Sequence, residues 1–465
     1  MKTDVLIIGS GCSGLYCALM LPKDMQITVI TKSDLESSDS FLAQGGICML
    51  KNEDDYDSYF EDTMKAGHYE NDKESVKIMI QSSQNVIHDL IGFGVDFQKD
   101  EKGALAFTRE GAHSRKRILF HEDITGKEIT SKLLCEVKKR ANIKLVEYTT
   151  MVDLLEQNGH CYGAVIRTAK GELKKVSAEH TVMATGGIGG LYDHSTNFRH
   201  LTGDALAIAL RHDIRLKNIN YVQIHPTTLY VKEKEERSFL ISESVREEGP
   251  KLYDAHMNRF VDELLPRDLL TQAIHEQMEK DHTEFVWEDL RTIPQEELER
   301  HFPNILAHCK KKGYDVTKEC IPVVPAQHYF MGGVWVDHNS KTSMDHLYAV
   351  GETACNGVHG KNRLASNSLL ESLVFAKRAA KEMGQLWMKN EQVKTAAVQS
   401  DLDQKLTSEM LDGKYGNEEL WNQENERLVW EEIKRVEKSC QFIMHNVLPA
   451  GRHSEITEKA EELYV

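Results

Sequence analysis

The segment TREGAHS (108–114) places one carboxylate, Glu110, between Arg109 and His113. On composition alone the segment fits a solvated surface loop, in which an exposed ion pair contributes little to stability. In a partly dry pocket the same carboxylate would instead be a binding group, because a buried charge requires a partner of opposite charge. Both interpretations are open until the rest of the chain is considered.

A second set of residues with chemical meaning is the glycine turn GSGCSG, in which Gly9, Gly11 and Gly14 follow the strand-like run DVLIIG (4–9). Glycines at this spacing permit a tight turn, close approach to a pyrophosphate and close packing of helix on strand. The following helix start adds free N–H groups and a positive dipole end. With QITVIT (26–31) as a second strand, the pattern predicts a β-turn-α-β unit that binds a dinucleotide.

Two further glycine-containing turns, ATGGIGG (184–190) and VGETA (350–354), also follow strand-like runs. Each alone fits a plain turn, but three such turns favour one long cofactor at the carboxyl edge of a parallel sheet. The acid that usually ends the second strand and binds a ribose is replaced by Thr31 and Lys32. Spacing alone therefore leaves FAD and NAD open as the cofactor.

These turns need a parallel sheet to position them. Further strand-like runs occur at 164–168, 181–185 and 346–350. Residues 369–386 have the spacing of an amphipathic helix, and Ser368 with Glu371 predicts a capping box at its start.

Changes in composition along the chain predict its domain organisation. The predicted fold class is α/β, with a Rossmann-like nucleotide-binding domain in two parts, 1–219 and 329–395. The more charged and helical segment 220–328 is typical of an inserted α+β capping domain. Residues 396–465 are charged and lack a glycine motif, which predicts a C-terminal helical domain.

The bulk composition limits the classes of function. The 465 residues carry a net charge of -16, which argues against a nucleic-acid partner but not against a small anionic substrate in a local cationic pocket. The nine cysteines form no C-x-x-C pair or metal-ligand cluster, so we expect reduced thiols, a cytoplasmic location and no metal. No apolar run reaches the length of a membrane helix, and the start MKTDVLIIG lacks the features of a signal peptide.

Six motifs occur in one order along the chain. They are SDSFLAQGGI (38–47), QIHPTTLY (223–230), LISESVREEG (240–249), LLPRDLL (264–270), VVPAQHYFMGGV (323–334) and HGKNRLASNSLLES (359–372). In these motifs the chain resembles the flavoprotein family that contains the flavoprotein subunits of succinate dehydrogenase and fumarate reductase together with the L-aspartate oxidases. The resemblance covers most of residues 1–385, and it implies that the cofactor is FAD and the Rossmann-like domain an FAD-binding domain.

The resemblance also implies which residues contact FAD. They are Gly9, Ser10, Gly11, Cys12, Ser13, Gly14, Lys32, Asp39, Ser40, Phe41, Leu42, Ala43, Gln44, Gly45, Gly46, Asp204, Glu352, Ser368 and Leu369. If the helix start at Ser368 points at the flavin, its dipole would stabilise negative charge on the reduced ring.

By the same resemblance, a second set of residues contacts the substrate. They are His225, Ser242, Glu243, His328 and Arg363, together with the catalytic Arg267. A four-carbon dicarboxylate brings two negative charges, which a partly dry pocket must match with fixed donors such as the guanidinium of Arg363. The alternatives are a surface ion pair of Arg267 with Asp268 and purely structural roles for the two histidines.

Two positions separate members of the family. Membrane-complex succinate dehydrogenases and fumarate reductases usually attach FAD through a histidine just before AQGG, where this chain has Asp39, so the resemblance implies non-covalent FAD. L-aspartate oxidases carry a run similar to TREGAHS, with Glu110 where the succinate and fumarate enzymes typically have an apolar residue. A carboxylate there would repel a plain dicarboxylate and attract the ammonium group of an amino acid.

The activity that this resemblance implies is FAD-dependent oxidation of L-aspartate to iminoaspartate, by hydride transfer from Cα to flavin N5. O2 or fumarate would accept the electrons, and the product would pass to quinolinate synthase in NAD synthesis. Glu110 would orient the amino group, and Arg267 would hold a carboxylate or transfer a proton. The alternatives are a soluble fumarate reductase or succinate-oxidising flavoprotein, and a flavoprotein that serves only as an assembly or electron-transfer subunit.

Overall fold

The computed structural model describes residues 1–232, 237–388 and 408–447. Its strands are β1 (Lys2–Ile8), β2 (Ile27–Ile30), β3 (Ile47–Cys48), β4 (Ile118–Leu119), β5 (Ile143–Val146), β6 (Thr150–Gln157), β7 (His160–Arg167), β8 (Leu173–Met183), β9 (Leu216–Lys217), β10 (Val222–Leu229), β11 (Phe239–Leu240), β12 (Lys251–Tyr253), β13 (Val286–Asp289), β14 (Ile321–Phe330), β15 (Gly333–Trp335), β16 (Leu347–Ala349) and β17 (Ala354–Cys355). Its helices are α1 (Cys12–Met20), α2 (Asp39–Leu42), α3 (Tyr56–Ala66), α4 (Lys73–Gly92), α5 (Thr125–Lys138), α6 (Asp204–Arg211), α7 (Glu243–Glu247), α8 (Arg267–Asp281), α9 (Gln295–His301), α10 (Pro303–Lys311), α11 (Asn367–Met388), α12 (Ser408–Tyr415) and α13 (Glu418–Val447).

A parallel sheet with strand order β5-β2-β1-β8-β16 forms the centre of the structure. Val5 of β1 lies opposite Ile27 of β2 on one side and His180 of β8 on the other. The antiparallel strands β7 and β6 extend the sheet from the first half of β8. The inner strands are rich in β-branched residues because other elements cover both faces of the sheet.

Alternate residues of β1 enter two separate hydrophobic clusters. Val5 and Ile7 pack with buried residues of α1, α4, α5 and α11. Leu6 and Ile8 pack with buried residues of α6, α12 and α13 on the opposite face. Helices therefore cover both faces of the sheet, as the predicted α/β class requires.

A second, antiparallel sheet has the strand order β11-β10-β14-β13-β12. It has its own hydrophobic cluster, which runs from Leu229 to Val323 and includes buried residues of α8, α9 and α10. This is the α+β capping domain predicted between the two parts of the nucleotide-binding domain. The sheet ends at Phe330 on β14, and the finer domain boundaries stay a prediction.

The helices α12 and α13 form the described part of the predicted C-terminal helical domain. The indole N–H of Trp421 on α13 donates to the carbonyl of Val152 on β6 at 3.2 Å, so the helix is docked on the nucleotide-binding domain. Residues 396–407 and 448–465 of that prediction lie outside the described residues. Among the helices that are described, none combines the length and apolar character needed to cross a membrane.

Candidate active site

One cavity joins the two sets of residues that the sequence singled out. Its volume is about 1800 Å³ including the open mouth, and its wall runs from the glycine turns to a group of buried charged side chains. The predicted cofactor residues on the wall are Gly9, Ser10, Gly11, Cys12, Ser13, Lys32, Asp39, Ser40, Leu42, Ala43, Gln44, Gly45, Gly46, Asp204, Glu352, Ser368 and Leu369. The predicted substrate and catalytic residues on it are Glu110, Ser242, Glu243, Arg267, His328 and Arg363.

The turn between β1 and α1 has no room for a side chain at Gly9 or at Gly14. Gly9 has a φ of +121°, and a Cβ there would lie 2.0 Å from the carbonyl oxygen of Ala184. A Cβ on Gly14 would lie 2.2 Å from the carbonyl oxygen of Gly9. Gly9 therefore lets the first turn meet the 184–190 turn, and Gly14 lets α1 begin directly against the turn.

Three buried polar atoms along this part of the wall lack partners among the described residues. Asp39 Oδ1 accepts a hydrogen bond from the Phe198 N–H at 2.9 Å. Its Oδ2, together with Ser38 Oγ and Gln44 Oε1, has no hydrogen-bond partner among the described residues. Burial raises the pKa of Asp39 to about 7. Because buried polar atoms without partners are rare in folded proteins, this wall fits a polar cofactor lying against it.

Three other ionisable groups, Lys32, Asp204 and Glu352, lie on the same wall. Lys32 Nζ is 2.7 Å from Asp204 Oδ2, so the lysine at the end of β2 is matched by the first residue of α6. Glu352 accepts the Phe330 N–H at 2.8 Å. Burial, with repulsion from Asp39, raises the pKa of Glu352 to about 8. Because burial away from water raises the pKa of a carboxyl group, the raised pKa of Glu352 indicates that this wall is shielded from solvent. Such a wall suits a bound cofactor.

The helix after the HGKN motif starts differently from the prediction. α11 begins at Asn367, and Ser366 just before it has a φ of +60°. Ser368 therefore lies inside the first turn, where its Oγ accepts a hydrogen bond from Arg363 Nη1 at 3.0 Å. Glu371 accepts a hydrogen bond from an asparagine of the preceding loop. The predicted capping box is wrong, because both side chains are used in contacts with the loop that carries the arginine.

Two buried arginines lie at the other end of the cavity. Arg267 donates from Nε to Glu243 Oε2 at 2.6 Å and from Nη1 to Gln223 Oε1 at 2.8 Å. Arg363 donates from Nε to the same Gln223 oxygen at 3.2 Å. Burial, with repulsion from Arg267, lowers the pKa of Arg363 to about 10, which still keeps it charged at neutral pH. Two fixed guanidinium groups in a dry site suit a ligand with two carboxylates.

Arg267 does not form the surface ion pair with Asp268 that the sequence left open. Asp268 contacts His68 instead, with 3.0 Å between Oδ2 and Nε2. The buried partner of Arg267 is Glu243, which also lies 3.6 Å from Arg246 Nη2. Burial favours the neutral form of Glu243, but the two guanidinium groups outweigh it and hold its pKa below the ordinary value. Glu243 is therefore a carboxylate that fixes the arginines.

His225 and His328 are neutral at physiological pH. Burial, with the nearby charge of Arg267, holds the pKa of both imidazoles well below its usual value. His328 Nδ1 lies 2.8 Å from Thr196 Oγ1, and His225 Nε2 has no partner among the described residues. The two rings meet edge to face at 5.2 Å. His328, which lies on the cavity wall, can therefore offer a ligand a hydrogen bond but not a charge.

Glu110 is buried, with 4% of its surface exposed, which excludes the interpretation as a solvated loop residue. Its Oε1 accepts a hydrogen bond from Ser244 Oγ at 2.9 Å, and its Oε2 accepts one from Ser366 Oγ at 2.5 Å. Burial raises the pKa of Glu110, and the negative charge of Glu243 adds to the effect. Because hydroxyl groups rather than a cation hold this carboxylate, its charge remains for a cationic ligand group.

The loop that carries Glu110 is fixed from behind. His113 Nε2 lies 3.0 Å from the carbonyl oxygen of Ala365, and Arg117 Nη1 lies 2.9 Å from His113 Nδ1. Arg117 is itself buried and pairs with two aspartates. Burial lowers the pKa of His113 to about 4, so a neutral imidazole links the two segments. Arg109 is exposed and is not on the cavity wall.

Known proteins similar to this chain place the site in a family. The family model for an FAD binding domain matches residues 4–369. The L-aspartate oxidase of Clostridium perfringens (strain 13 / Type A) is 50% identical over 380 residues, which cover 82% of this chain and 86% of the relative. The L-aspartate oxidase of Clostridium acetobutylicum is 49% identical over 383 residues, with 82% and 88% covered. The chain belongs to the L-aspartate oxidase family.

Membership of the L-aspartate oxidase family confirms the predicted FAD cofactor and the FAD-binding domain. Among solved structures, a variant FrdA chain of E. coli quinol fumarate reductase is similar, with a TM-score of 0.81. The match covers 100% of this chain and 86% of that chain at 25% sequence identity. The sequence is therefore closer to L-aspartate oxidases than to this fumarate reductase, although the fold is shared.

The structure also assigns positions that the sequence did not single out. Side chains that contact the predicted site residues without having been predicted are Gln223, Ser244, Arg246 and Ser366. Each lies inside a motif that carries the family resemblance, but neither residue type nor spacing indicated its contacts. Within the described part of the chain, no group of three or more His, Cys, Asp or Glu side chains is arranged to hold a metal ion.

Three of the predicted site residues lie behind the cavity wall rather than on it. Gly14 packs against the backbone of Gly9. Phe41 packs against the hydrophobic cluster of the central sheet. His225 lies behind His328 and is almost completely buried. For these residues, a role in binding would act through the groups in front of them.

We expect Gly9→Ala to yield protein that lacks bound flavin. The added Cβ would meet backbone atoms of Ala184, which cannot move without displacing the second glycine turn. The expected loss in free energy of unfolding is about 2–4 kcal/mol. Flavin absorbance per protein and thermal unfolding measure both effects. Gly92→Ala is the matched control, since a Cβ there meets nothing within 4 Å. A normal flavin content in Gly9→Ala would contradict the close contact between Gly9 and Ala184.

Proposed function

We propose that the protein oxidises L-aspartate to iminoaspartate, with non-covalently bound FAD as its cofactor. The observation that carries the proposal is the buried carboxylate of Glu110 on the same cavity wall as the guanidinium groups of Arg267 and Arg363. A ligand matched to this set has two carboxylates and one ammonium group. When bound, FAD supplies the acceptor for the hydride that leaves Cα of the substrate.

In this proposal the arginines bind the two carboxylates. Arg267 and Arg363 are held by Glu243, Gln223 and Ser368, so their orientation is fixed before the substrate enters. Charge-assisted hydrogen bonds from such preorganised groups bind and orient a dicarboxylate strongly. His328 and Ser242 are proposed to add neutral donors around the same carboxylates, and His225 is proposed to support His328 from behind.

Glu110 is proposed to hold the amino group. The ammonium group must lose a proton before Cα and nitrogen can form a double bond, and a carboxylate with a raised pKa is a better proton acceptor than an ordinary one. The Ser244 and Ser366 hydroxyls fix both carboxylate oxygens. Arg267 is proposed to hold a carboxylate and, when fumarate is the acceptor, to donate a proton to it and recover that proton from solvent.

The same active site is proposed to use O2 or fumarate as electron acceptor. Iminoaspartate would then pass to quinolinate synthase in the cytoplasm, as the first step toward NAD. A soluble fumarate reductase or succinate-oxidising enzyme would need the same arginines but would be hindered by the charge of Glu110. A flavoprotein with only an assembly or electron-transfer role would have no need of a fixed set of substrate-binding groups.

Parallel aerobic incubations test this function. The purified yellow protein is mixed with L-aspartate, D-aspartate or succinate, and hydrogen peroxide and iminoaspartate are measured. We expect peroxide with L-aspartate alone. Bleaching of the flavin only by succinate would favour the fumarate reductase alternative, and no turnover with any of the three would favour the electron-transfer alternative.

The KM for L-aspartate is expected to rise as the pH is lowered through the pKa of Glu110. Below that pKa the carboxyl is neutral and no longer attracts the ammonium group. Because burial raises this pKa, the rise in KM begins at a higher pH than for an exposed glutamate. Burial holds the pKa of both His225 and His328 well below its usual value, so these histidines are neutral at neutral pH. A KM that stays constant from neutral to mildly acidic pH would contradict the assignment.

A further inference from the structure

We infer that Gln223 is a positioning residue that sets the spacing between Arg267 and Arg363 and thereby the length of dicarboxylate that the site accepts. The inference rests on the proposed function, because it concerns the same two arginines. Gln223 lies on β10 of the capping sheet and is 3% exposed.

The side-chain amide of Gln223 has every hydrogen-bonding position in use. Its Oε1 accepts from Arg267 Nη1 at 2.8 Å and from Arg363 Nε at 3.2 Å. Its Nε2 donates to Asn362 Oδ1 at 2.7 Å and to the carbonyl oxygen of Arg363 at 2.8 Å. An amide has two donor hydrogens and two acceptor lone pairs. Gln223 therefore has nothing left to offer a ligand, and its role lies in holding its neighbours.

The neighbours that it holds come from different parts of the fold. Arg267 is the first residue of α8, which packs on the capping sheet, whereas Arg363 lies in the loop before α11 of the nucleotide-binding domain. One oxygen accepts from both guanidinium groups, so the distance between them is fixed by a single atom. The Nε2 bonds add a second attachment to the loop of Arg363. Gln223 therefore links the two domains and sets the distance between the guanidinium groups of Arg267 and Arg363.

A neutral amide suits this position better than a carboxylate. Two guanidinium groups near each other repel, and an acceptor between them reduces that repulsion. A carboxylate would do so more strongly, but it would also cancel the positive charge that the substrate carboxylates require. The amide oxygen holds both cations and leaves their charge available.

The test compares ligands that differ by one methylene group. Succinate and glutarate carry the same charges at different spacing, and a fitted pocket separates such pairs by about 10–200-fold. Dissociation constants are measured from the change in flavin absorbance on ligand binding, which requires no turnover. We expect the unmodified protein to favour succinate.

Two variants separate spacing from charge. Gln223→Met keeps the size of the side chain but removes all four hydrogen bonds, so we expect the preference for succinate over glutarate to fall about tenfold. Gln223→Glu still accepts from both arginines but adds negative charge, so we expect weaker binding of both ligands with the preference retained. Gln272→Met, on the outer part of α8, is the matched control and should change neither constant.

An unchanged preference in Gln223→Met would overturn the inference, as would a lost preference in Gln223→Glu. If Gln223→Met fails to retain flavin, Gln223→Asn decides the matter, because its amide is one methylene too short to reach both arginines and should lose the preference likewise. Failure of the proposed function has a different signature. In that case the unmodified protein does not oxidise L-aspartate, whatever its preference between succinate and glutarate.

Discussion

Replacing Arg267 with lysine is expected to lower kcat/KM for L-aspartate by about 10³-fold. The guanidinium makes three directed contacts, with both its Nε and an Nη on Glu243 and the other Nη on Gln223. A lysine ammonium is a point charge on a flexible stem and cannot reproduce this fork. The variant would also leave Glu243 with a weaker partner in a buried site, which costs stability and displaces the second arginine.

The measurement is steady-state oxidation of L-aspartate, with flavin content determined on the same samples. Arg267 contacts none of the glycine turns, so the flavin content should stay normal. Arg259→Lys is the matched control, since Arg259 forms a similar two-contact pair with Glu263 on the outside of the capping domain. It should change activity less than about twofold, because half-exposed ion pairs contribute little. More than a tenth of the activity remaining in Arg267→Lys would contradict the role assigned to that arginine.

The cofactor end of the site follows closely from the sequence because backbone contacts determine it. Gly9 and Gly14 are glycines since any Cβ would meet a carbonyl oxygen about 2 Å away, and such a constraint is visible in a single residue type. The strands that carry the turns are short β-branched runs, which local patterns identify well. Because these strands are parallel, their carboxyl ends lie at the same edge of the sheet. The three glycine turns therefore come together there.

The substrate end could be predicted only as a set of residue types. The buried carboxylate of Glu110 is held by the hydroxyl groups of Ser244 and Ser366. These two serines lie far from Glu110 in sequence and belong to different domains. Gln223 reaches both arginines from a strand whose pairing with β14 shifts register just after it. Neither contact has a local sequence signal, because each depends on how the capping sheet lies against the loop before α11.

The capping box shows how a local pattern fails. Ser368 and Glu371 have the right types and spacing, but α11 begins earlier, at Asn367, directly after Ser366 with its positive φ. Once α11 begins at Asn367, both polar side chains lie within its first turns. There they take on tertiary contacts with Arg363 and a loop asparagine, and these contacts outweigh the local preference.

Replacing Glu110 with glutamine is expected to separate the two activities of the site. The amide keeps the size of the side chain and can still contact Ser244 and Ser366, but it carries no charge to attract an ammonium group. Losing one partner of a desolvated ion pair costs about 3–5 kcal/mol, so kcat/KM for L-aspartate should fall by about 10²–10⁴-fold. Fumarate has no ammonium group, and its reduction by the same variant, with reduced viologen as electron donor, should change by less than about tenfold.

The comparison is sharp because both reactions use the same arginines and the same flavin, so a general loss of structure lowers both rates together. Glu247→Gln is the matched control. Glu247 is near enough to interact electrostatically with Glu110 and Glu243, but it does not lie on the cavity wall. It should affect both reactions only slightly. The Glu110→Gln variant should also lose the rise in KM for L-aspartate toward acidic pH, since the titrating group is gone. Equal losses in oxidation and reduction, or an unchanged pH profile, would show that Glu110 only supports the loop and that some other group distinguishes an amino acid from a plain dicarboxylate.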